Sequence, residues 1–166
     1  MRYFFFGTLM DPELSAVVLD RALPETAHRP AFLLDFARYR VLGEAFPLLV
    51  PENGGRVDGV LADGITEPEA ARILWYESDD YEIREIQVHL GEGRMVDAFG
   101  CLAGPKARHD GTAWDFARWR RDDRAFALLL ARDWMACFGS AGVDLAERNY
   151  RLRKRRLLRG DESGTD

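Results

Sequence analysis

Cysteine and histidine are scarce in this chain, and their scarcity narrows its chemistry. Of 166 residues, only two are cysteine and three are histidine. Cys101 and Cys137 are too few and too far apart for a disulfide framework or a zinc site. His28, His89 and His109 have no serine, cysteine or second histidine at triad or ligand spacing. No apolar run approaches the ~20 residues that span a bilayer, which excludes insertion by a transmembrane helix. No basic segment followed by an apolar one and a small-residue cleavage site opens the chain. A cytoplasmic location is therefore expected. Phosphate loops, dinucleotide fingerprints and nucleophile elbows are missing too.

What is present is the composition of a soluble globular protein, 47% hydrophobic and 31% charged, at a length that suits one domain over 1–166. The net charge of −5 hides an asymmetry. Residues 148–160 hold seven bases (Arg148, Arg151, Arg153, Lys154, Arg155, Arg156 and Arg159) and no acid. Setting these seven aside from the 23 bases, and the three acids after residue 160 from the 28, leaves 16 bases against 25 acids in 1–147, a net of −9. The basic tail, 148–166, invites a polyanion. The preferred account is plainer: a final strand or helix lying along the acidic body, with a frayed end. A nucleic-acid partner is the less favoured reading.

The order of elements is strands first, helices last. Phe4-Phe5-Phe6 reads as a buried strand that Gly7 ends abruptly. Asp11 can cap a helix beginning at Pro12, with Leu14, Val17 and Val18 at helical spacing. Residues 31–50 read as strands broken by Gly43 and Pro47. Asn53-Gly54-Gly55 is a strong turn signal, and Val57–Ala62 is another strand. Thr66-Glu67-Pro68-Glu69 has the form of a capping box before a short helix. Strands follow at Tyr81–Leu90 and Met95–Leu102, joined by Gly91-Glu92-Gly93. From Thr112 to about Gly139 the pattern is that of one helix capped by Thr112, its bulk supplied by Trp114, Trp119, Phe126, Trp134 and Phe138. That helix could serve a homodimer interface as well as a core. The class expected is α+β, with helices packed on one side of the sheet.

Two places suggest chemistry. A tight Gly7-Thr8-Leu9 turn beside a helix start presents backbone N–H groups suited to a carboxylate or phosphate. Glu77 lies just beyond a helix between Trp75-Tyr76 and Tyr81. A carboxylate held among aromatics loses water, which raises its pKa and makes it a usable general base. Asp79, Asp80, Glu82 and Glu85 crowd nearby but lack the spacing and central glycine of a calcium loop, so a solvated face is the expected account.

In order, Phe6-Gly7-Thr8-Leu9, Phe46-Pro47-Leu48-Leu49-Val50, Val57-Asp58-Gly59-Val60-Leu61, and Leu74-Trp75-Tyr76-Glu77 followed by Tyr81-Glu82-Ile83-Arg84 resemble the motifs of the γ-glutamylcyclotransferase-like family. The resemblance covers residues 2–102. It implies a compact mixed β-barrel-like sheet with flanking helices and a pocket above the Gly7 turn, extended here by C-terminal helix. It also implies cyclisation of a γ-glutamyl amide or peptide to 5-oxoproline with release of the amine, and no metal or organic cofactor. By position, Glu77 would be the general acid and base. Phe6, Gly7, Thr8, Leu9 and Tyr81 would line the substrate site, the 7–9 backbone holding the substrate α-carboxylate. Phe6 stands where the family usually has tyrosine, Trp75 where an acid is common, and Ala98-Phe99-Gly100-Cys101 where Ala-x-x-Tyr is frequent. Such losses of hydroxyls are expected to alter substrate choice more than fold. The alternative reading is a non-catalytic ligand-binding or regulatory module that keeps the pocket.

Overall fold

A computed structural model describes residues 1–159. Its centre is β1 (Arg2–Phe5), whose Tyr3, Phe4 and Phe5 are all buried. A strand apolar at successive positions has both faces covered, as a central strand requires. β2 (His28–Val41) and β3 (Pro47–Asp63) form a long antiparallel hairpin. β4 (Tyr81–His89) and β5 (Met95–Ala103) form a second. β1 runs antiparallel to β3 and parallel to β5. The circuit closes where β2 meets β4 at Phe32 and His89, giving a five-stranded barrel-like sheet. The expected strands at Tyr81–Leu90 and Met95–Leu102 lie within a residue of these bounds.

Local caps fix the first two helices. α1 (Pro12–Leu19) starts at Asp11, whose carboxylate accepts from the N–H groups of Glu13 and Leu14 at 3.1 Å each. α2 (Glu67–Glu77) begins with the expected capping box. The Thr66 N–H donates to Glu69 at 2.8 Å and the Glu69 N–H donates back to Thr66 Oγ1 at 3.4 Å. Arg21, just past α1, pairs with the buried Glu69 and so ties the two helices together.

Three expectations are corrected. Asn53-Gly54-Gly55 does not join two strands; it is an excursion within β3 opposite a register shift between Leu34 and Phe36. The Asp35 carboxylate accepts from the Gly54 N–H at 2.8 Å, and both residues have positive φ. The true hairpin turn is at Gly43, between β2 and β3. Second, Thr112 caps no helix. It lies in β6 (His109–Ala113), which pairs with the far end of β2. Third, the expected helix of 112–139 is two: α3 (Phe116–Asp122), capped by the Asp115 carboxylate on the Arg118 N–H at 2.7 Å, and α4 (Arg124–Met135). Consecutive aspartates interrupt it. Asp122 is held by Arg121, and Asp123 takes the N-cap position of α4. α4 stops at Met135, with Ala136 at its C-cap, so Gly139, at φ 72, lies in the turn that follows and is not the helix stop its sequence suggests.

Residues 148–159 of the basic tail belong to α5 (Val143–Arg159), a helix laid along acidic groups: Arg153 pairs with Asp133, and Lys154 with Glu44. Residues 160–166 of that tail lie outside the described residues. Trp119, Phe4, Leu14, Leu48, Leu49 and Leu61 are the largest fully buried side chains. Each contributes on the order of 1.5–3 kcal/mol by leaving water. Among the described residues, no helix is long and apolar enough to cross a membrane.

Candidate active site

β1 leads through Phe6 into a single 3₁₀ turn at Thr8–Met10. The bonds of this turn come from the N–H groups of Met10, to the Gly7 carbonyl, and Asp11, to the Thr8 carbonyl, each at 3.0 Å. The N–H groups of Thr8 and Leu9 precede the first bonded position, so the turn itself does not use them. Gly7 is required by close approach. A Cβ there would stand 2.9 Å from Pro47 Cγ. The carbonyl of the same Pro47 accepts the Tyr81 hydroxyl at 2.7 Å, so the Gly7 corner, the start of β3 and the start of β4 are held together. Behind the corner, Arg38 donates to the Phe6 carbonyl at 2.7 Å.

Glu77 closes α2, and the chain leaves the helix through Ser78 at φ 51, ψ −155. Residues other than glycine rarely adopt that backbone, and the strain costs on the order of 1–3 kcal/mol. It redirects the main chain immediately after the carboxylate. Glu77 lines a cavity of about 660 Å³ together with Phe6, Gly7, Thr8, Leu9 and Tyr81. All six residues singled out in the sequence therefore surround one space.

The electrostatics of that space are set by dryness. Burial pushes the Glu77 carboxyl up to about 8, with Asp80 adding to the rise; the Cys101 thiol, donating to the carboxylate, only partly opposes it. Burial and the neighbouring Glu77 hold Cys101 and Tyr81 well above their ordinary values, so both stay protonated at neutral pH. Tyr76 is also pushed up by burial, although Thr8, bonded to its hydroxyl, moderates this. A carboxyl that ionises near neutrality, in one cavity with a turn that does not itself use the Thr8 and Leu9 N–H groups, can take and return a proton beside a bound anion.

The sequence offers Tyr76 only as a neighbour of Glu77 and gives Cys101 no place in the site; Cys101 is buried in the core and, like Tyr76, also lines the cavity. The family position of Cys101, where tyrosine is frequent, was the available signal. Tyr150 also lines it, donating its hydroxyl to Glu44 at 3.2 Å. It comes from α5, far along the chain, and its place had no local signal.

Known proteins agree with this architecture. The family model described as γ-glutamyl cyclotransferase, AIG2-like, matches residues 3–121. AIG2-like protein C of Arabidopsis thaliana is 31% identical over 124 residues, covering 73% of this chain and 70% of the relative. A solution structure from Arabidopsis thaliana at 26% identity superposes with a TM-score of 0.59 over 85% of this chain and 94% of the other. A second from the same organism, 24% identical, covers 97% of this chain and 84% of its own with a TM-score of 0.58, a likeness of fold that takes in the C-terminal helices. With its barrel, its Gly7 corner and a model match over most of its length, this chain belongs to the AIG2-like γ-glutamyl cyclotransferase family.

Proposed function

We propose that the protein is a cyclotransferase that converts a γ-glutamyl amide or peptide into 5-oxoproline and a free amine, with Glu77 as general base and acid. The observation that carries this reading is a desolvated carboxyl, ionising at about 8, in one cavity with the Gly7–Leu9 turn. The N–H groups of that turn hold the substrate α-carboxylate. This places the α-ammonium toward Glu77.

Ionised Glu77 removes a proton from the α-ammonium, and the freed amine attacks the γ-carbonyl carbon. A new C–N bond closes the five-membered ring while the original amide C–N bond breaks. The α-nitrogen sheds two protons in reaching the lactam N–H, and both end on the departing nitrogen, which leaves as an ammonium. Glu77 relays them and returns to its starting state. The ring closure joins two ends of one molecule, so most of the acceleration comes from holding the substrate folded in a near-attack geometry.

The reading is tested by measuring 5-oxoproline release from a set of γ-glutamyl donors, with the wild type and Glu77→Gln side by side. The glutamine keeps the shape and removes the base. Turnover should collapse in the variant; a fully active variant would remove Glu77 from the mechanism.

A further inference from the structure

The cavity is larger than a γ-glutamyl group needs. At about 660 Å³ it lies within the ~300–1,000 Å³ range of sites that enclose whole drug-sized ligands. The excess lies away from the Gly7 corner, against the C-terminal helices. Phe126, Leu130 and Trp134 of α4 line it from one side, and Tyr150 and Leu158 of α5 from the other. All five lie beyond the segment that matches the family model. Trp134 and Tyr150 meet edge to face, with ring centroids 6.0 Å apart, which gives this end an aromatic wall.

The charges here are as informative as the rings. Three bases line the cavity, and each is already engaged. Lys154 pairs with Glu44 at 2.5 Å and donates to the Gly43 carbonyl at 3.2 Å. Arg151 pairs with Glu147 at 2.8 Å. Arg40 donates its Nε–H to the Glu44 carbonyl at 2.7 Å. Against these three stand five lining acids besides Glu77, which is held largely protonated at neutral pH: Glu44, Asp80, Asp122, Asp123 and Glu147. A leaving group with its own carboxylate would enter a wall in which acids outnumber bases and in which Lys154, the least exposed of the paired bases, is already held by Glu44, leaving it Arg40 and the exposed Arg151. An apolar amine meets rings on its carbon skeleton and acids around its nitrogen.

The geometry points to a second subsite, formed by α4 and α5, that takes the leaving group and selects aromatic or branched apolar amines without a carboxylate over amino acids and peptides. This rests on the cyclotransferase reading for the word "leaving", but the subsite itself is testable without turnover. Binding of 2-phenylethylamine and of L-phenylalanine, which share a ring and differ by the carboxylate, is measured by calorimetry. The amine should bind at least about tenfold more tightly. Phe126→Ala, at a partly exposed position, should weaken the amine several-fold while circular dichroism reports an intact fold. Equal or tighter binding of phenylalanine, or no effect of Phe126→Ala on a folded protein, overturns the inference.

Turnover supplies an independent arm. The kcat/KM for γ-glutamyl-2-phenylethylamide should exceed that for γ-glutamylphenylalanine by about tenfold or more, and Phe126→Ala should cost more on the phenylethylamide than on γ-glutamylethylamide. If γ-glutamylphenylalanine is the better donor, the subsite assignment fails and the cyclotransferase reading survives. If no donor yields 5-oxoproline while 2-phenylethylamine still binds, the cyclotransferase reading fails and the subsite stands.

Discussion

Two buried carboxyls on either side of the Gly7 turn are driven in opposite directions. Asp11, four residues beyond Gly7, is fully buried and held below the usual carboxylate range. Burial alone would push it up. It is outweighed by the Arg124 guanidinium, at 2.7 Å, and by the N–H groups of Leu14 and Glu13. Glu77 is less completely buried, yet burial pushes it up to about 8, because the side-chain donor it has among the described residues is a thiol, and Asp80 adds to the rise. Burial thus sets the stakes, and the supply of donors decides the sign. Asp11 is a fixed anion that anchors α1 to α4. Glu77 is a proton carrier.

The comparison is broken most severely at Glu77. Glu77→Gln should lower kcat by roughly 10²–10⁴-fold, the range for removing a positioned general base, as read from 5-oxoproline release. The same variant sharpens the contrast through stability. Because the folded-state pKa is raised from 4.5 to about 8, the native state binds an extra proton between those values. The stability associated with neutral Glu77 is fully present below about 4.5 and is lost as pH rises through 8. Glu77→Gln, neutral at every pH, should therefore melt higher than the wild type at pH 9, by an amount on the order of a few kcal/mol, and level with it at pH 4. Thermal melts at the two pH values check this. A higher melting temperature with lost turnover would mark Glu77 as a group kept at a cost to the fold.

Asp11 should answer in the opposite way. Arg124→Met removes its strongest partner and leaves the carboxylate with its backbone donors and the more distant Arg120 at 3.8 Å, so the protein should lose roughly 2 kcal/mol, less than for a pair cut off entirely from water because Arg124 is partly exposed. Denaturant unfolding at pH 7 measures the loss. The deficit should shrink as pH falls and Asp11 protonates, since its depressed pKa contributes stability only above the unfolded value. If Arg124→Met were neutral, the anchoring role of the pair would be wrong.

How much of this could be read in advance depended on distance along the chain. Asp11 with Pro12, and Thr66 with Glu69, declare their caps within one turn, and the sequence names both helix starts. Glu77 is legible as a dry carboxylate because its aromatics adjoin it. Asn53-Gly54-Gly55 misleads because the decisive partner, Asp35, belongs to the facing strand. Thr112 misleads because β6 exists only through pairing with Tyr39 and Val41. The acidic wall offered by Glu44, Asp122 and Glu147 is assembled from three elements and has no local pattern.

The Cys101–Glu77 contact is of that nonlocal kind and carries the smallest expected effect. Cys101 sits in β5 opposite Ile83, and its thiol donates to the Glu77 carboxylate across the cavity wall. A thiol is a weak donor, so it stabilises the ionised form only slightly. Cys101→Ala removes even that, and the ionisation governing kcat/KM should move upward from about 8 by a few tenths to about one pH unit. Cys101→Ser installs a stronger O–H donor and should move it downward. The two variants differ from the wild type by little volume, so packing alone would shift stability in both without moving the pH midpoint in opposite directions. A pH profile of 5-oxoproline release separates the cases: opposed shifts identify Cys101 as the positioning donor for Glu77, and a midpoint unmoved in both variants returns it to the core.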